Sequence, residues 1–242
     1  MRPKPITCLI LLSVLLLAAC GEKRPAPVVQ HLHKEIKAKP KTMPDKHGLT
    51  ESFTDSLNIG RKGFNKVSLE QFKIEDSTYV VIRFFSKHAD KWIIKNEFHL
   101  PKDGITSSDP SVSDFNNDVL NDFTFISAIA ARGGNEIRTL FIYDKKNDEL
   151  ILIKNSDTFP NLSYNQELNC IEAFALSGCN STIFATIEAD SLRTFARADQ
   201  CDSIKVFAYD KKGEEKLILK RSINADDAMD FTDYNLLKNY RK

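Results

Sequence analysis

Two stretches of this chain are almost the same string. YDKKNDELILI runs from Tyr143, and YDKKGEEKLIL runs from Tyr209. Each follows a short apolar run, Leu140-Phe141-Ile142-Tyr143 or Val206-Phe207-Ala208-Tyr209, crosses a polar turn and enters a second apolar run. Runs rich in β-branched and aromatic residues, bounded by turn residues, predict β-hairpins. A third hairpin, weaker in its match, joins Tyr79-Val80-Val81-Ile82-Arg83-Phe84-Phe85 to Trp92-Ile93-Ile94-Lys95-Asn96 through a polar turn over Ser86–Lys91. A multi-strand unit recurring at more than about 50 residues predicts a propeller-like or related all-β array. Three unrelated hairpins with common turn residues would give the same pattern.

Between the second and third hairpins the pattern predicts a meander with strands Cys170–Leu176, Thr182–Glu188 and Leu192–Ala198. Phe231, Tyr234, Leu237 and Tyr240 recur every three residues, which predicts a short C-terminal helix docked on the sheet. The fold class is therefore mostly β, built of antiparallel hairpins and a meander, with a short C-terminal helix.

The N-terminus reads differently. Arg2 and Lys4 precede an apolar run from Ile6 to Leu17, which leads into Ala18-Ala19-Cys20. A basic start, a short apolar run and small residues at a cut point predict a secretory signal over 1–19. The run is too short for a membrane span, which needs about 20 residues. The cysteine after two alanines resembles a bacterial lipobox, which implies cleavage before Cys20 and acylation of its thiol. Residues 20–50 then read as a tether, with Pro25, Pro27, Pro40 and Pro44 and few large apolar side chains. Residues 51–242 read as one β-rich domain. The expected location is the bacterial cell envelope, with the lipid in a membrane and the domain on the periplasmic side or the cell surface. The 34 Lys+Arg and 33 Asp+Glu nearly cancel, which gives no reason to expect nucleic acid as a partner.

Asp114-Phe115-Asn116-Asn117-Asp118-Val119-Leu120-Asn121-Asp122 holds the clearest chemistry. Calcium takes six to eight oxygens at about 2.3–2.6 Å. Asp114, Asn116, Asp118 and Asp122, with the carbonyl of Leu120, form a candidate oxygen set. Zinc is not expected without His or Cys in the loop. An EF-hand would need an acid where Phe125 stands. The same residues also suit an Asx-rich turn with no metal. The loop, followed by the apparent strand Phe123-Thr124-Phe125-Ile126, resembles the calcium loops of FG-GAP and VCBS-type repeats. Those loops carry glycine where this chain has Val119.

The order of hairpin, single D-x-N-x-D-x-x-x-D loop, strand and "LFIYDKKNDELILI" is similar to a family of small bacterial envelope proteins with one VCBS-like calcium loop. That family includes lysozyme inhibitors and immunity proteins. The resemblance covers roughly residues 70–220. It implies a calcium cofactor and a protein partner, a peptidoglycan hydrolase inhibited by occlusion of its cleft. The candidate occluding loop is Ser177-Gly178-Cys179-Asn180-Ser181, with partner-binding residues Ser177, Gly178, Asn180 and Ser181. Arg132-Gly133-Gly134-Asn135 is the second candidate turn. Either can equally be an ordinary turn. The alternative functions are an envelope adhesion or assembly module, and a carbohydrate-binding lipoprotein with Trp92 stacking on sugars.

No G-x-S-x-G, H-E-x-x-H or G-x-x-x-x-G-K-[ST] string is present, so no enzyme is expected. Outside the signal and Cys20, the cysteines are Cys170, Cys179 and Cys201. In an antiparallel meander, the turn holding Cys179 lies at the same end of the sheet as Cys201, while Cys170 starts the first strand at the other end. This predicts a Cys179–Cys201 disulfide, which an oxidising envelope permits.

Overall fold

The computed structural model describes residues 48–225 and 227–241. The signal stretch, Cys20 and the tether up to residue 47 lie outside the described residues. The described chain is mostly β. It forms three antiparallel sheets in which each strand pairs with its neighbour in sequence. The first sheet holds β1 (Leu49–Asp55), β2 (Asn65–Ile74), β3 (Ser77–His88) and β4 (Lys91–Lys102). The second holds β5 (Ser111–Ser113), β6 (Asp122–Ala130), β7 (Asn135–Asp144) and β8 (Glu149–Leu152). The third holds β9 (Ser163–Asn165), β10 (Cys170–Leu176), β11 (Asn180–Glu188), β12 (Ser191–Gln200), β13 (Ser203–Tyr209) and β14 (Glu215–Ser222).

The period-2 alternation of a strand explains how the sheets stack. In β7, Phe141 and Tyr143 join one buried cluster with Val67, Leu69 and Ile82 of the first sheet. Leu140 and Ile142, between them, join a second cluster with Ile171, Ala173 and Ala185 of the third. The second sheet is therefore buried on both faces at its centre, and β6 and β7 read as largely continuous apolar runs. The far face of the third sheet carries Phe184, Phe195 and Val206, covered by Phe231 and Leu237 from the C-terminal segment. Phe141 is fully buried, with ring centroids of Phe98, Phe123 and Phe125 at 5.0, 5.9 and 6.4 Å. Truncating a core phenylalanine to alanine costs about 3–5 kcal/mol.

Two local expectations are corrected. The first hairpin does not turn over Ser86–Lys91. Strand pairing continues through Ser86↔Ile93 and His88↔Lys91, so the turn is only Ala89-Asp90. Ser86 stays in the strand because its hydroxyl donates to Asp148 of the second sheet. The C-terminal segment makes a single 3₁₀ turn, Tyr234–Leu236, in place of a helix. Its bonds run from Leu237 N–H to Tyr234 O and from Tyr240 N–H to Leu237 O. A repeat of three residues is the 3₁₀ period, and it aligns Tyr234, Leu237 and Tyr240 without an α-helix.

Candidate functional site

The Asp114 loop links β5 to β6. Asp114 is its organiser: Oδ1 accepts the N–H groups of Asn116 (3.1 Å), Asn117 (2.6 Å) and Asp118 (3.3 Å), and Oδ2 accepts that of Val119 (2.9 Å). Asp118 Oδ1 accepts the Leu120 N–H at 2.9 Å, and Asn116 Oδ1 accepts that of Asp118 at 3.1 Å. Leu120 packs its side chain against the core shared by the first two sheets. Asp122 is fully buried. Its oxygens accept the N–H groups of Phe115 (2.7 Å) and Tyr143 (2.8 Å). Burial lifts the Asp122 carboxyl to about 7; the two N–H groups oppose this, and the charges of Asp118 and Asp114 add to it.

The loop bends at Asn117 (φ 61°) and Val119 (φ 70°), and Val119 is 92% exposed. A β-branched residue in the left-handed region costs on the order of 1–3 kcal/mol and persists only where its surroundings enforce it. Here the enforcing contacts are the bonds to Asp114. The loop is also tied from outside. Gly60 N–H donates to Asn121 O at 2.9 Å, and the Asn121 amide donates to Asn58 O at 3.1 Å.

The donor chemistry of this loop, carboxylates and amide oxygens, suits a hard cation, and ionised carboxylates keep lone pairs beyond the bonds described. Among the described residues, however, no three His, Cys, Asp or Glu side chains are arranged as a metal-ligand group. The oxygens are turned onto the loop's own N–H groups and, for Asp122, also onto that of Tyr143 in β7. A cavity of about 330 Å³ opens beside the loop, between Phe115, Asn116, Cys170, Thr186 and Arg241. Cys170 is free and buried at the start of β10. Burial, with the charge of Glu172, pushes its thiol up to about 12.

The second group of candidates lies at the other end of β10, a strand of seven residues and so roughly 20 Å away. Cys179 and Cys201 form a disulfide there, with Cα atoms 4.9 Å apart. Ser177 and Gly178 are exposed. Ser181 and Asn180 are engaged within the molecule: the Ser181 hydroxyl donates to Asp199 at 2.8 Å, and the Asn180 amide donates to Met229 O at 3.3 Å.

The structure brings Arg132–Asn135 beside this loop. Asn135 is the bridge: its amide donates to Leu176 O at 3.0 Å, and its oxygen accepts the Leu176 N–H at 2.9 Å. Asn161 adds bonds to Gly134 O (2.9 Å) and Phe174 O (2.8 Å). A Cβ on Gly134 would lie 2.7 Å from Leu176 Cδ1, so the two loops approach as closely as a glycine permits. Ala131 (φ 50°), Arg132 (φ 57°) and Gly133 (φ 95°) are all left-handed and exposed. Arg132 makes no ion pair among the described residues.

Sequence reasoning missed a third cluster. Asp148 accepts bonds from Tyr143 Oη (2.9 Å), Asn65 Nδ2 (2.9 Å), Arg61 (2.7 Å) and the Ser86 hydroxyl. Burial opposes ionisation, but these four donors outweigh it and hold the Asp148 carboxyl at about 2. Its donors stand up to 87 residues away in the chain, at Arg61, so no local pattern announces it.

No protein-family model matches the chain, and no curated protein matches it at a significant level. Among solved structures, the chain is similar to one described as "Structure of a Xanthomonas Type IV Secretion System related protein". The two are 13% identical, the match covers 72% of this chain and 98% of that one, and the TM-score is 0.47.

Proposed function

We propose that the chain is a lipid-anchored, calcium-binding protein of the bacterial cell envelope that inhibits, or gives immunity to, a peptidoglycan hydrolase. The observation that supports this reading best is the joint edge made by Arg132–Asn135 and Ser177–Ser181. Two exposed loops are held side by side by the side chains of Asn135 and Asn161, and the Cys179–Cys201 disulfide fixes the second loop to the end of β12. Loops fixed before binding lose little entropy on docking. Arg132 offers a guanidinium with no ion pair among the described residues, and hydrogen bonds from guanidinium to carboxylate are among the strongest available in a cleft. Ser177 and Gly178 supply the small exposed tip, while Asn180 and Ser181 hold the loop in place.

Asp114, Asn116, Asp118, Asp122 and the Leu120 carbonyl are the residues that would hold calcium. A bound cation would neutralise the carboxylates that crowd Asp122. The loop lies a strand's length from the edge, beyond the Debye length of about 8 Å, so its effect on a partner is through the sheet and not through its charge.

An inhibition titration against a panel of peptidoglycan hydrolases tests the function. The wild type is expected to inhibit at least one. Arg132→Glu and Ser177→Glu, both at exposed positions, are expected to weaken that inhibition at least about tenfold while shifting stability by less than about 0.5 kcal/mol. If the wild type inhibits none, the adhesion or assembly reading replaces this one. For calcium, a dissociation constant of about 10⁻³ M and 10 mM ion predict roughly 1.4 kcal/mol of stabilisation. Asp118→Ala is expected to abolish it in thermal melts, and no calcium-dependent rise in the wild type would remove the metal from the proposal.

A further inference from the structure

The first sheet ends in a corner that the core does not use. Beyond the Phe84↔Asn96 pair, residues 91–95 of β4 are exposed one after another. Trp92, Ile93 and Ile94 are 36%, 47% and 46% exposed, and Phe64 beside them is 58% exposed. The register sets Phe85 beside Ile94 and Lys66, and Lys87 beside Trp92. Phe64 continues that ladder by accepting the Lys87 N–H at 2.8 Å. Alternation therefore puts Phe64, Phe85, Trp92 and Ile94 on the outer face, while Ile93 leaves the same tip on the opposite face.

Cations surround this apolar tip. Lys66 Nζ stands 4.1 Å from the Phe85 ring centroid and 5.0 Å from that of Trp92, and Lys87 Nζ is 6.0 Å from the Trp92 ring. Lys62, Lys91 and Lys95 are exposed around them. None of these five lysines has an ion pair among the described residues. Asp90 in the turn is the acid nearest in sequence, while Glu97, further along β4, is already paired with Arg83 at 2.7 Å and His99 at 3.0 Å.

One partner fits both properties. A second copy presenting the same face would set lysine against lysine. A sugar would stack on a free aromatic face, but the Lys66 ammonium lies over both rings, and Ile93 on the opposite face would have no role. A bilayer surface takes both faces of an inserted tip, accepts tryptophan at its headgroup level, and meets lysine ammoniums with lipid phosphates.

We propose that the β3–β4 corner docks the domain on an anionic lipid surface. Trp92, Ile93 and Ile94 enter the headgroup boundary, and Lys66, Lys87, Lys91 and Lys95 meet the phosphates. The docking does not depend on acylation of Cys20. An acyl anchor on a tether holds the domain near a membrane in any orientation, whereas this corner selects one.

Trp92 is the sole tryptophan of the chain, so its emission reads the corner itself, whether or not another anchor holds the protein. The full chain is mixed with phosphatidylcholine vesicles, with or without one part in four of phosphatidylglycerol. The expected result is a blue shift of Trp92 emission and quenching by brominated acyl chains in the anionic vesicles only, reversed by high salt. The Lys91→Glu, Lys95→Glu double variant is expected to need roughly 30-fold more anionic lipid for the same shift, with an unchanged melting curve. Salt reversal tests the wild type alone should that variant fold poorly. Emission that ignores both vesicle types, equal quenching in neutral and anionic vesicles, or a shift that grows with protein concentration without lipid would each overturn the proposal.

Discussion

Tyr143 and Tyr209 each donate a hydroxyl to an acid just past the turn that follows them, Asp148 at 2.9 Å and Glu215 at 2.8 Å. Both turns open alike. Asp144 accepts the Lys146 N–H and Asp210 accepts the Lys212 N–H, each at 2.8 Å. From there they part. The first turn places its left-handed residue at Asp148 (φ 55°), the second at Gly213 (φ 80°). Asp148 then receives Asn65 and Ser86 from the first sheet and Arg61 from the loop between β1 and β2. Glu215 is exposed and, among the described residues, its carboxylate meets Arg197, at 3.4 Å, besides its tyrosine. The shared string encodes a local capped turn. Its energetic weight comes from position in the stack: β7 and β8 belong to the sheet buried on both faces, while β14 is an outer edge.

The largest test of this contrast is Asp148→Ala. It strands buried donors from three segments, and a loss of about 3 kcal/mol is expected in urea unfolding. Asp148→Gly relieves the left-handed backbone yet should lose almost as much; recovery of wild-type stability there would mean that backbone strain, and not the four donors, sets the cost. Acid comes next. The Asp148 carboxyl sits at about 2, below its unfolded value, so its contribution is complete above about pH 4 and is lost as pH falls through 2. That loss amounts to about 2 kcal/mol, and Asp148→Asn should flatten this part of the stability–pH curve. Gly213→Ala follows, at about 1 kcal/mol, because a Cβ there meets nothing within 4 Å and only the positive φ opposes it. Glu215→Gln is smallest, below about 0.5 kcal/mol. A Glu215 effect equal to that of Asp148 would erase the distinction between the two turns.

Strands were legible where apolar content was high. The meander of β10, β11 and β12 lies within a few residues of its sequence reading, since each run ends at polar or small turn residues. β1, β2, β5 and β9 were not read: β1, β5 and β9 carry too few large apolar side chains, and in β2 Val67, Leu69 and Phe72 are separated by polar residues. Ser86 was misread as turn because its justification, Asp148, comes from another sheet. The Asp114 loop was legible from its spacing alone. What spacing could not reveal is that Asp122 gives an oxygen to the Tyr143 N–H, a partner fixed only once β6 and β7 pair. The Arg132 and Ser177 turns were each visible in sequence, but their adjacency was not. It depends on Asn135 and Asn161, residues that resemble ordinary turn asparagines until the second and third sheets meet.

The nearest-neighbour pairing of all three sheets carries a consequence for how the chain assembles. Every strand finds its partner in the segment just before or after it, so pairing needs short loop closures, and these are the fast ones. Each sheet can form as its residues emerge, without waiting for the next. The Cys179–Cys201 bridge closes inside one sheet, across 22 residues. Its oxidation needs only β11 and β12 in place, ahead of the C-terminal segment that later covers Phe184. Cys170 and Cys179 emerge before Cys201, so it is the pairing of β10 with β11, which holds Cys170 a strand's length from both partners, that favours the correct bridge.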